Sequence, residues 1–316
     1  MNSELVSVVV PCYNVESYIR RFFRSLLSQT YKKLEVILVN DGSTDSTGEV
    51  IKEYIPMLEN AGFKVIYIEQ ANGGLAAAIN TGIKHVHGGF LTWPDPDDWL
   101  TPDSIEKRVL FLQQHPDAAM VRCNIEKIQE GSENSLGVYE PALKHPVVIE
   151  NFYENLRDIK TWFGSLACLV RMSCFDEVNP EHDIYVHSRG GQNLQMLLPI
   201  AKKYPCWQMP DVLGYYLIRN KSHSNIQNNL EAHINYVNAT EQVVLNTLIR
   251  MSAEPITLHR IKQQYAWKRI LIAKRRGSLL DILSHVTRAW PVVNEKWILL
   301  LAPITPRFIF RFIKKI

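Results

Sequence analysis

Residues 34–55 read LEVILVNDGSTDSTGEVIKEYI. Leu34–Val39 is a short, mostly apolar run rich in β-branched residues, the pattern of a strand buried on both faces. It stops at the polar cluster Asn40-Asp41-Gly42-Ser43. The segment after it carries Ser and Asp residues suited to cap a helix, then apolar residues at helical spacing. Strand, polar turn and helix follow one another within 22 residues. A strand that feeds a helix through so short a turn is the repeating unit of a parallel sheet covered by helices.

The same unit recurs on both sides. Val6–Val10 predicts a strand, and Ile19, Phe22, Phe23, Leu26 and Leu27 in the following segment share one helical face. Downstream, Lys64–Ile68, the helical run LAAAINTGIKHV, the strand GGFLTW and the helix TPDSIEKRVLFLQQ continue the alternation. Thr101 suits the cap of that last helix and Pro102 its first position. Ala118–Ile128 predicts a fifth strand. Residues 131–160 read as a polar excursion, a loop over the active site. Residues 162–224 mix strand and helix signals, and the chain beyond Ile226 reads as helical. The fold class is therefore α/β, a mostly parallel sheet with helices on both faces and a helical C-terminal extension. In such sheets ligands bind beyond the carboxyl ends of the strands. Cys12-Tyr13-Asn14, Asn40–Ser43 and Asp95–Asp98 all fall at such ends, on one rim.

The third of these clusters lies in LTWPDPDDWL, Leu91–Leu100. Three carboxylates packed between aromatic residues repel one another and lose hydration. A cation between them makes the crowding tolerable. Hard oxygen ligands such as those of Asp95 and Asp97 suit Mg²⁺ or Mn²⁺. A bare D-x-D is more often an acid-rich turn that caps the next helix, but its sister clusters on the same rim favour the cation. Asp41 can accept a hydrogen bond from a base or a ribose, or simply form an Asx turn. Asn72-Gly73-Gly74 lets backbone approach a ligand, or turns the chain.

Composition narrows the class. The chain has 316 residues, 46% hydrophobic and 21% charged, the balance of a globular enzyme. Its five scattered cysteines include no CxxC pair, which predicts neither a zinc site nor a disulfide framework and fits a reducing, cytoplasmic setting. No basic leader precedes the first apolar run, so no signal peptide is expected. The longest apolar candidate for a membrane span, residues 297–304, falls far short of about 20 residues. Residues 267–316 hold 11 Lys and Arg against Asp281 and Glu295, which puts +9 there and −6 on the rest of the chain. That asymmetry predicts an anionic partner, but no nucleic-acid motif accompanies it. Arg307, Arg311, Lys314 and Lys315 share one helical face, with phenylalanine and isoleucine on the remaining surface. Such a helix lies in the headgroup layer of an anionic membrane, or packs on the catalytic domain with its basic face in water.

Four motifs in order, VSVVVPCYN, EVILVNDGSTDST, NGGLAAAINTGI and GGFLTWPDPDDW, resemble family 2 of the nucleotide-sugar glycosyltransferases, which have the GT-A fold. The resemblance covers residues 6–110 and fades toward residue 224. It implies a GT-A catalytic domain over 1–225, with a nucleotide-binding half of about 1–120 and an acceptor half of about 120–225, followed by a helical basic region over 226–316. It implies that Pro11 and Tyr13 line the nucleoside pocket, with Asn72 and Gly73 beside it. Asp41 would read the base, Asp95 and Asp97 would hold a Mn²⁺ or Mg²⁺ diphosphate, and Asp98 would face the donor sugar. His223 is a third metal ligand in this reading, and Arg219 and Lys221 balance phosphate charge.

Two departures from the family stand out. Ile79 stands where an Arg often reaches the nucleotide. Gln192 and Asn193 stand where a Glu-Asp pair usually supplies the base, and neither can deprotonate a hydroxyl at neutral pH. Asn193 then keeps a positioning role, and the base moves upstream to Glu181, His182, Asp183 or His187, with Asp183 preferred. The implied activity is inverting, metal-dependent transfer from a nucleoside diphosphate sugar, with UDP the implied nucleotide. The implied acceptor is a glycan or lipid-linked glycan of bacterial lipopolysaccharide or capsule. The implied location is the cytoplasmic face of the inner membrane, as a peripheral protein. Two rivals are a sugar nucleotidyltransferase, which should carry a Gly-rich basic loop absent from VVVPCYNVES, and a nucleotide-sugar-binding protein that has lost catalysis.

Overall fold

The structure is a computed structural model that describes residues 2–132, 134–187, 191–219 and 230–275. The chain divides into two compact units, 1–225 and 226–316. The first unit opens with β1 (Asn2–Cys12), α1 (Ile19–Leu27), β2 (Leu34–Asp41), α2 (Thr47–Asn60), β3 (Lys64–Gln70), α3 (Leu75–Ile83) and β4 (Gly88–Thr92). It continues through β5 (Trp99–Leu100), α4 (Ser104–Gln114), β6 (Met120–Gln129), β7 (Ser135–Val138), β8 (Val147–Val148) and α5 (Phe152–Arg157). It closes with β9 (Cys168–Arg171), α6 (Met172–Val178), α7 (Gln192–Lys203) and β10 (Cys206–Ile218).

The strands form one sheet in the order β3-β2-β1-β4-β9-β6-β10-β5, with β7 added to β6 and β8 to β10. β1 pairs parallel with β2 and with β4, and β2 parallel with β3. Every residue of β2 is buried, as its mostly apolar run predicts. Apolar faces of the helices cover the sheet: Ile19, Phe22, Phe23 and Leu26 of α1 are fully buried, and Phe23 stacks on Tyr54 of α2 at 4.9 Å.

The sheet is mostly parallel but mixed, with β9 antiparallel to both β4 and β6. Two local expectations change. The helix after residue 101 starts at Ser104, with Asp103 and not Thr101 as its cap residue; the Thr101 hydroxyl instead donates to the Asp103 carboxylate at 2.8 Å. Residues 131–160 are not a plain loop. They supply β7, β8 and α5, and are tied to β6 by Asn124, whose side chain donates to the Glu140 carbonyl and accepts from the Glu140 N–H.

The second unit holds α8 (Leu230–Arg250) and α9 (Pro255–Arg275), which pack against each other. Val244 and Leu248 of α8 and Tyr265 and Ala273 of α9 are buried. The basic segment with Arg307, Arg311, Lys314 and Lys315 lies outside the described residues. Among the described residues, no helix is long and apolar enough to cross a membrane. All five cysteines are free.

At the edge of the sheet where β2 begins, Glu35 is fully buried. Its carboxylate accepts from the Ser7 hydroxyl, from the His87 N–H at 2.6 Å and from the Gly88 N–H at 3.1 Å. A Cβ at Gly88 would meet the Leu5 carbonyl oxygen at 2.5 Å, so only glycine permits this approach. Burial pushes the Glu35 carboxyl up, but the Ser7 and His87 donors outweigh it and hold it below the ordinary carboxylate range. The depressed folded-state value means that Glu35 stabilises the fold above the unfolded-state value near 4.5, and that this contribution is lost as pH falls through the folded-state value. Glu35→Ala strands three donors and should cost about 3 kcal/mol. Urea denaturation at neutral pH should register that loss, and the variant should show a shallower decline in stability under acid than the parent.

Candidate active site

The parallel strands β1, β2 and β4 bring Cys12, Asp41 and Thr92 to one rim of the sheet. The turns beyond β1 and β2 interlock. Asn14, with φ 50°, accepts from the Thr44 N–H at 2.8 Å through its side chain, while its own N–H donates to the Ser43 hydroxyl at 3.1 Å. The Val15 N–H donates to the Thr47 hydroxyl at 2.8 Å. Pro11 is buried within β1, and Tyr13, 47% exposed, stands out from the rim. A polar pocket of about 280 Å³ opens beside the end of β2, lined in part by Asn40, Ser43, Lys52, Glu69 and Gln70.

Asp41 is buried, and both its oxygens are engaged. One accepts from Gln70 Nε2 at 2.7 Å and the Gly73 N–H at 2.9 Å; the other accepts from the Gly74 N–H at 2.9 Å. The carboxylate thus holds the glycine turn against the end of β2. A carboxylate has about four acceptor positions, so one remains for a ligand.

The turn after β4 carries the acids. The Asp98 N–H donates to the Asp95 carbonyl at 3.2 Å, which closes the turn. Asp98 is buried and accepts from the Leu217 N–H at 2.9 Å. Asp97 pairs with Arg219 Nε at 3.1 Å. Burial, and then the neighbouring Asp97, push the Asp95 carboxyl up to about 7. Burial also raises Asp97, against the pull of Arg219, and raises Asp98 well above the ordinary range with help from the other two acids. Underneath lies Arg21, which sequence reasoning missed. Its guanidinium donates to the Asp97 carbonyl at 2.9 Å and stacks 3.7 Å from the Trp99 ring. Nothing in the helical periodicity of α1 separates this Arg from its solvated neighbours.

The upstream base candidates separate. Glu181 is exposed. His182 pairs with Asp176 at 2.7 Å. His187 contacts Tyr185, their ring centroids 6.1 Å apart. Asp183 lies against α3, where Asn80 Nδ2 donates to its carboxylate at 2.7 Å and to the Ile184 carbonyl at 2.8 Å. Gln195 of α7 clamps both polar groups of the Tyr185 backbone. Gln192 is buried at the start of α7. Asn193 Oδ1 accepts from the Trp93 indole N–H at 2.8 Å, which ties α7 to the acid turn. His223 and Lys221 lie outside the described residues. Among the described residues, no group of three or more His, Cys, Asp or Glu side chains is arranged to hold a metal.

The family model for glycosyl transferase family 2 matches residues 7–178. Curated relatives include a glycosyltransferase GlyA of Streptococcus pneumoniae, 33% identical over 183 residues, covering 57% of this chain and 24% of that protein. A glycosyltransferase EpsJ of Bacillus subtilis, itself uncharacterized, is 46% identical over 111 residues, covering 35% of this chain and 31% of that protein. The chain spans between about a quarter and two-fifths of the length of the first curated relatives it matches. Among solved structures, the S. aureus TarS fragment 1–349 in complex with UDP-GlcNAc superposes with a TM-score of 0.61 at 18% identity, covering 94% of this chain and 83% of that one. The mannosyltransferase PcManGT of Pyrobaculum calidifontis, in complex with GDP-Man and Mn²⁺, gives 0.54 at 19% identity, covering 94% and 84%. At these identities the structures establish a shared GT-A fold.

Asp41→Ala should release the glycine turn. Amide hydrogen exchange at Gly73 and Gly74 should accelerate by at least tenfold, since hydrogen bonds to a charged acceptor contribute roughly 1.5–3 kcal/mol. Unchanged exchange at both amides would show that the turn does not depend on the carboxylate.

Proposed function

The chain belongs to glycosyl transferase family 2, and from that premise we propose that it transfers a sugar, with inversion, from a nucleoside diphosphate sugar to a hydroxyl of a glycan or lipid-linked glycan. The observation that carries this reading is the meeting of Tyr13, Asp41 and the Asp95–Asp98 turn on one rim, with Arg21 and Arg219 against the acids. In this reading residues 1–225 are the catalytic domain, about 1–120 for the nucleotide and about 120–225 for the acceptor. Tyr13 offers an exposed ring to the base, and Asp41 spends its remaining acceptor position on a base or ribose donor. A uridine donor is consistent with TarS bound to UDP-GlcNAc, and GDP-Man in PcManGT is the competing precedent.

The acid turn fits a divalent cation. Asp95 and Asp97 are hard oxygen donors, and burial raises the pKa of both, a cost of ionisation that a bound cation offsets. Mn²⁺ or Mg²⁺ held there supplies charge neutralisation for a departing diphosphate. In this reading Arg219 exchanges Asp97 for a phosphate oxygen when the donor binds, and Arg21 stiffens the turn from beneath. Asp183, oriented by Asn80, takes the proton of the attacking hydroxyl. Asn193 positions Trp93, and Gln192 supports the start of the same helix. The reaction follows the oxocarbenium-like course of other glycosyl transfer. The basic C-terminal region would hold the enzyme at an anionic membrane, on the cytoplasmic face where lipid-linked lipopolysaccharide or capsule intermediates are exposed.

A second reading, a nucleotide-sugar-binding protein without catalysis, draws support from Gln192 and Asn193 at the usual place of the base. Hydrolysis or transfer of a UDP-sugar by the purified chain separates the two. Asp183→Asn should lower kcat by about 10²–10⁴-fold, the span of general-base catalysis, while UDP affinity holds. Wild-type turnover by this variant would move the base elsewhere.

The sign of the metal's effect on stability follows from the same carboxylates. Groups whose folded-state pKa exceeds the unfolded value destabilise the fold increasingly as pH rises toward the folded value. For Asp95 that window runs from 3.8 to about 7. Mn²⁺ should therefore raise Tm more at pH 8 than at pH 6, and Asp97→Asn should blunt the difference. An equal Mn²⁺ effect at both pH values, unchanged in Asp97→Asn, would remove the acid turn as the metal site.

A further inference from the structure

The rim that carries the acid turn has a second lip, contributed by a distant part of the chain. β9 pairs antiparallel with β4, with Arg171 opposite Phe90 and Val170 opposite Leu91. Followed toward the rim, β4 runs forward into the acid turn, while β9 runs backward into a short 3₁₀ turn, Ser165–Ala167. The register therefore brings Ser165 alongside Asp95, although the two are far apart in sequence.

Ser165 is 1% exposed, and its hydroxyl has no hydrogen-bond partner among the described residues. A serine in a helical turn usually donates to a nearby backbone carbonyl, and a buried hydroxyl left unpaired costs stability. The hydroxyl nevertheless lies close enough to the Asp95 carboxylate to favour its ionised form. Ser7 shows the completed version of such a contact in the same sheet, its hydroxyl donating to the buried Glu35 carboxylate. At Asp95 the same two groups are in place, but the bond is not closed.

The turn that carries Ser165 is firmly held. Arg108 of α4 is fully buried, and its guanidinium donates to the Leu166 carbonyl at 3.1 Å and the Cys168 carbonyl at 3.2 Å. It also donates to the carbonyl and the hydroxyl of Ser104. These acceptors are uncharged, so the buried cation serves to fix backbone on both sides of Ala167. Asp95, by contrast, keeps part of its surface open at the rim. A fixed donor behind a carboxylate that a ligand can reach is the arrangement that orients metal-binding carboxylates.

Resting on the reading of the acid turn as a cation site, we propose that Ser165 is a positioning residue: its hydroxyl donates to the Asp95 carboxylate when a divalent cation occupies the turn, and so fixes that carboxylate for the cation. A bound cation demands an ionised carboxylate, and an O–H···O⁻ bond is shorter and stronger than a neutral one. The hydroxyl then gains the partner it lacks in the metal-free chain, so cation binding and hydrogen bonding reinforce one another. In this role Ser165 acts through Asp95 and touches neither the sugar nor the diphosphate.

The test uses the full chain with Mn²⁺ alone as the probe, and reads binding from the electron paramagnetic resonance signal of the free ion. Loss of Mn²⁺ binding in Asp97→Asn checks the underlying reading on its own. Ser165→Ala should weaken Mn²⁺ binding by about tenfold, the lower range for removing a group that orients a metal ligand. In EDTA the same variant should melt at or above the parent's Tm, because the deleted hydroxyl has no partner there. Ser165→Thr, which keeps the hydroxyl, should bind Mn²⁺ as the parent does. A parent that binds no Mn²⁺, or an Asp97→Asn variant that binds it as the parent does, would overturn the cation reading and the inference with it. Binding that depends on Asp97 but is equal in Ser165→Ala and the parent would overturn the role of Ser165 alone. So would a Ser165→Ala Tm that falls in EDTA as far as it falls in Mn²⁺, the mark of a hydroxyl that merely supports the fold.

Discussion

Three carboxylates within four residues, packed at the end of a buried strand, are the constraint around which the first unit is organised. Asp95, Asp97 and Asp98 each have a raised pKa, because burial strips their hydration; Asp97 further opposes the ionisation of Asp95, and both of these oppose that of Asp98. The turn that holds them is bracketed by β4 and β5. β5 pairs with β10, and β10 delivers the two groups that make the arrangement tolerable: the Leu217 N–H to Asp98 and, just past the strand, Arg219 to Asp97. Arg21 closes the turn from the side of α1. The long pairing of β10 with β6 is thus also the means by which distant sequence is brought to the acids.

Glu35, at the other end of β2, shows what a compensated buried carboxylate looks like. It is fully buried, yet its pKa is depressed, because three donors converge on it. The same residue chemistry therefore serves the two ends of the sheet in opposite ways. At the base, donors saturate the charge and the carboxylate fastens β1, β2 and β4 together. At the rim, the charge is left short of partners. An under-compensated cluster costs stability and is retained where a ligand completes it. Asp41 falls between these cases, with three donors engaged and one acceptor position still open.

The two halves of the first unit also differ in how widely they are shared. The family match ends at residue 178, and the relatives align over segments of 110–183 residues. The rim that carries Tyr13, Asp41 and the acid turn lies within that shared part, whereas β10, which brings Leu217 and Arg219 to the acids, stands beyond it.

The alternation of strands and helices, the burial of β2 and the shared rim of Tyr13, Asp41 and Asp95 are determined by the sequence itself. These depend on side-chain periodicity and on the right-handed connection of parallel strands, both of which act over one or two elements. The family motifs identified the chemistry for the same reason, since each motif is contiguous. What only the tertiary structure decided is which distant groups meet. Asp103 displaced Thr101 as the helix cap through a contact two residues away, and residues 131–160 gained strands by pairing with β6 and β10. Asn80 found Asp183 across 103 residues, Trp93 found Asn193, and Arg21 found the carbonyl of Asp97. Such partners satisfy buried polar groups, and a buried polar group takes whichever partner the packed backbone brings within about 3 Å. That choice is made by the whole sheet closing at once, and no local pattern in the chain encodes it.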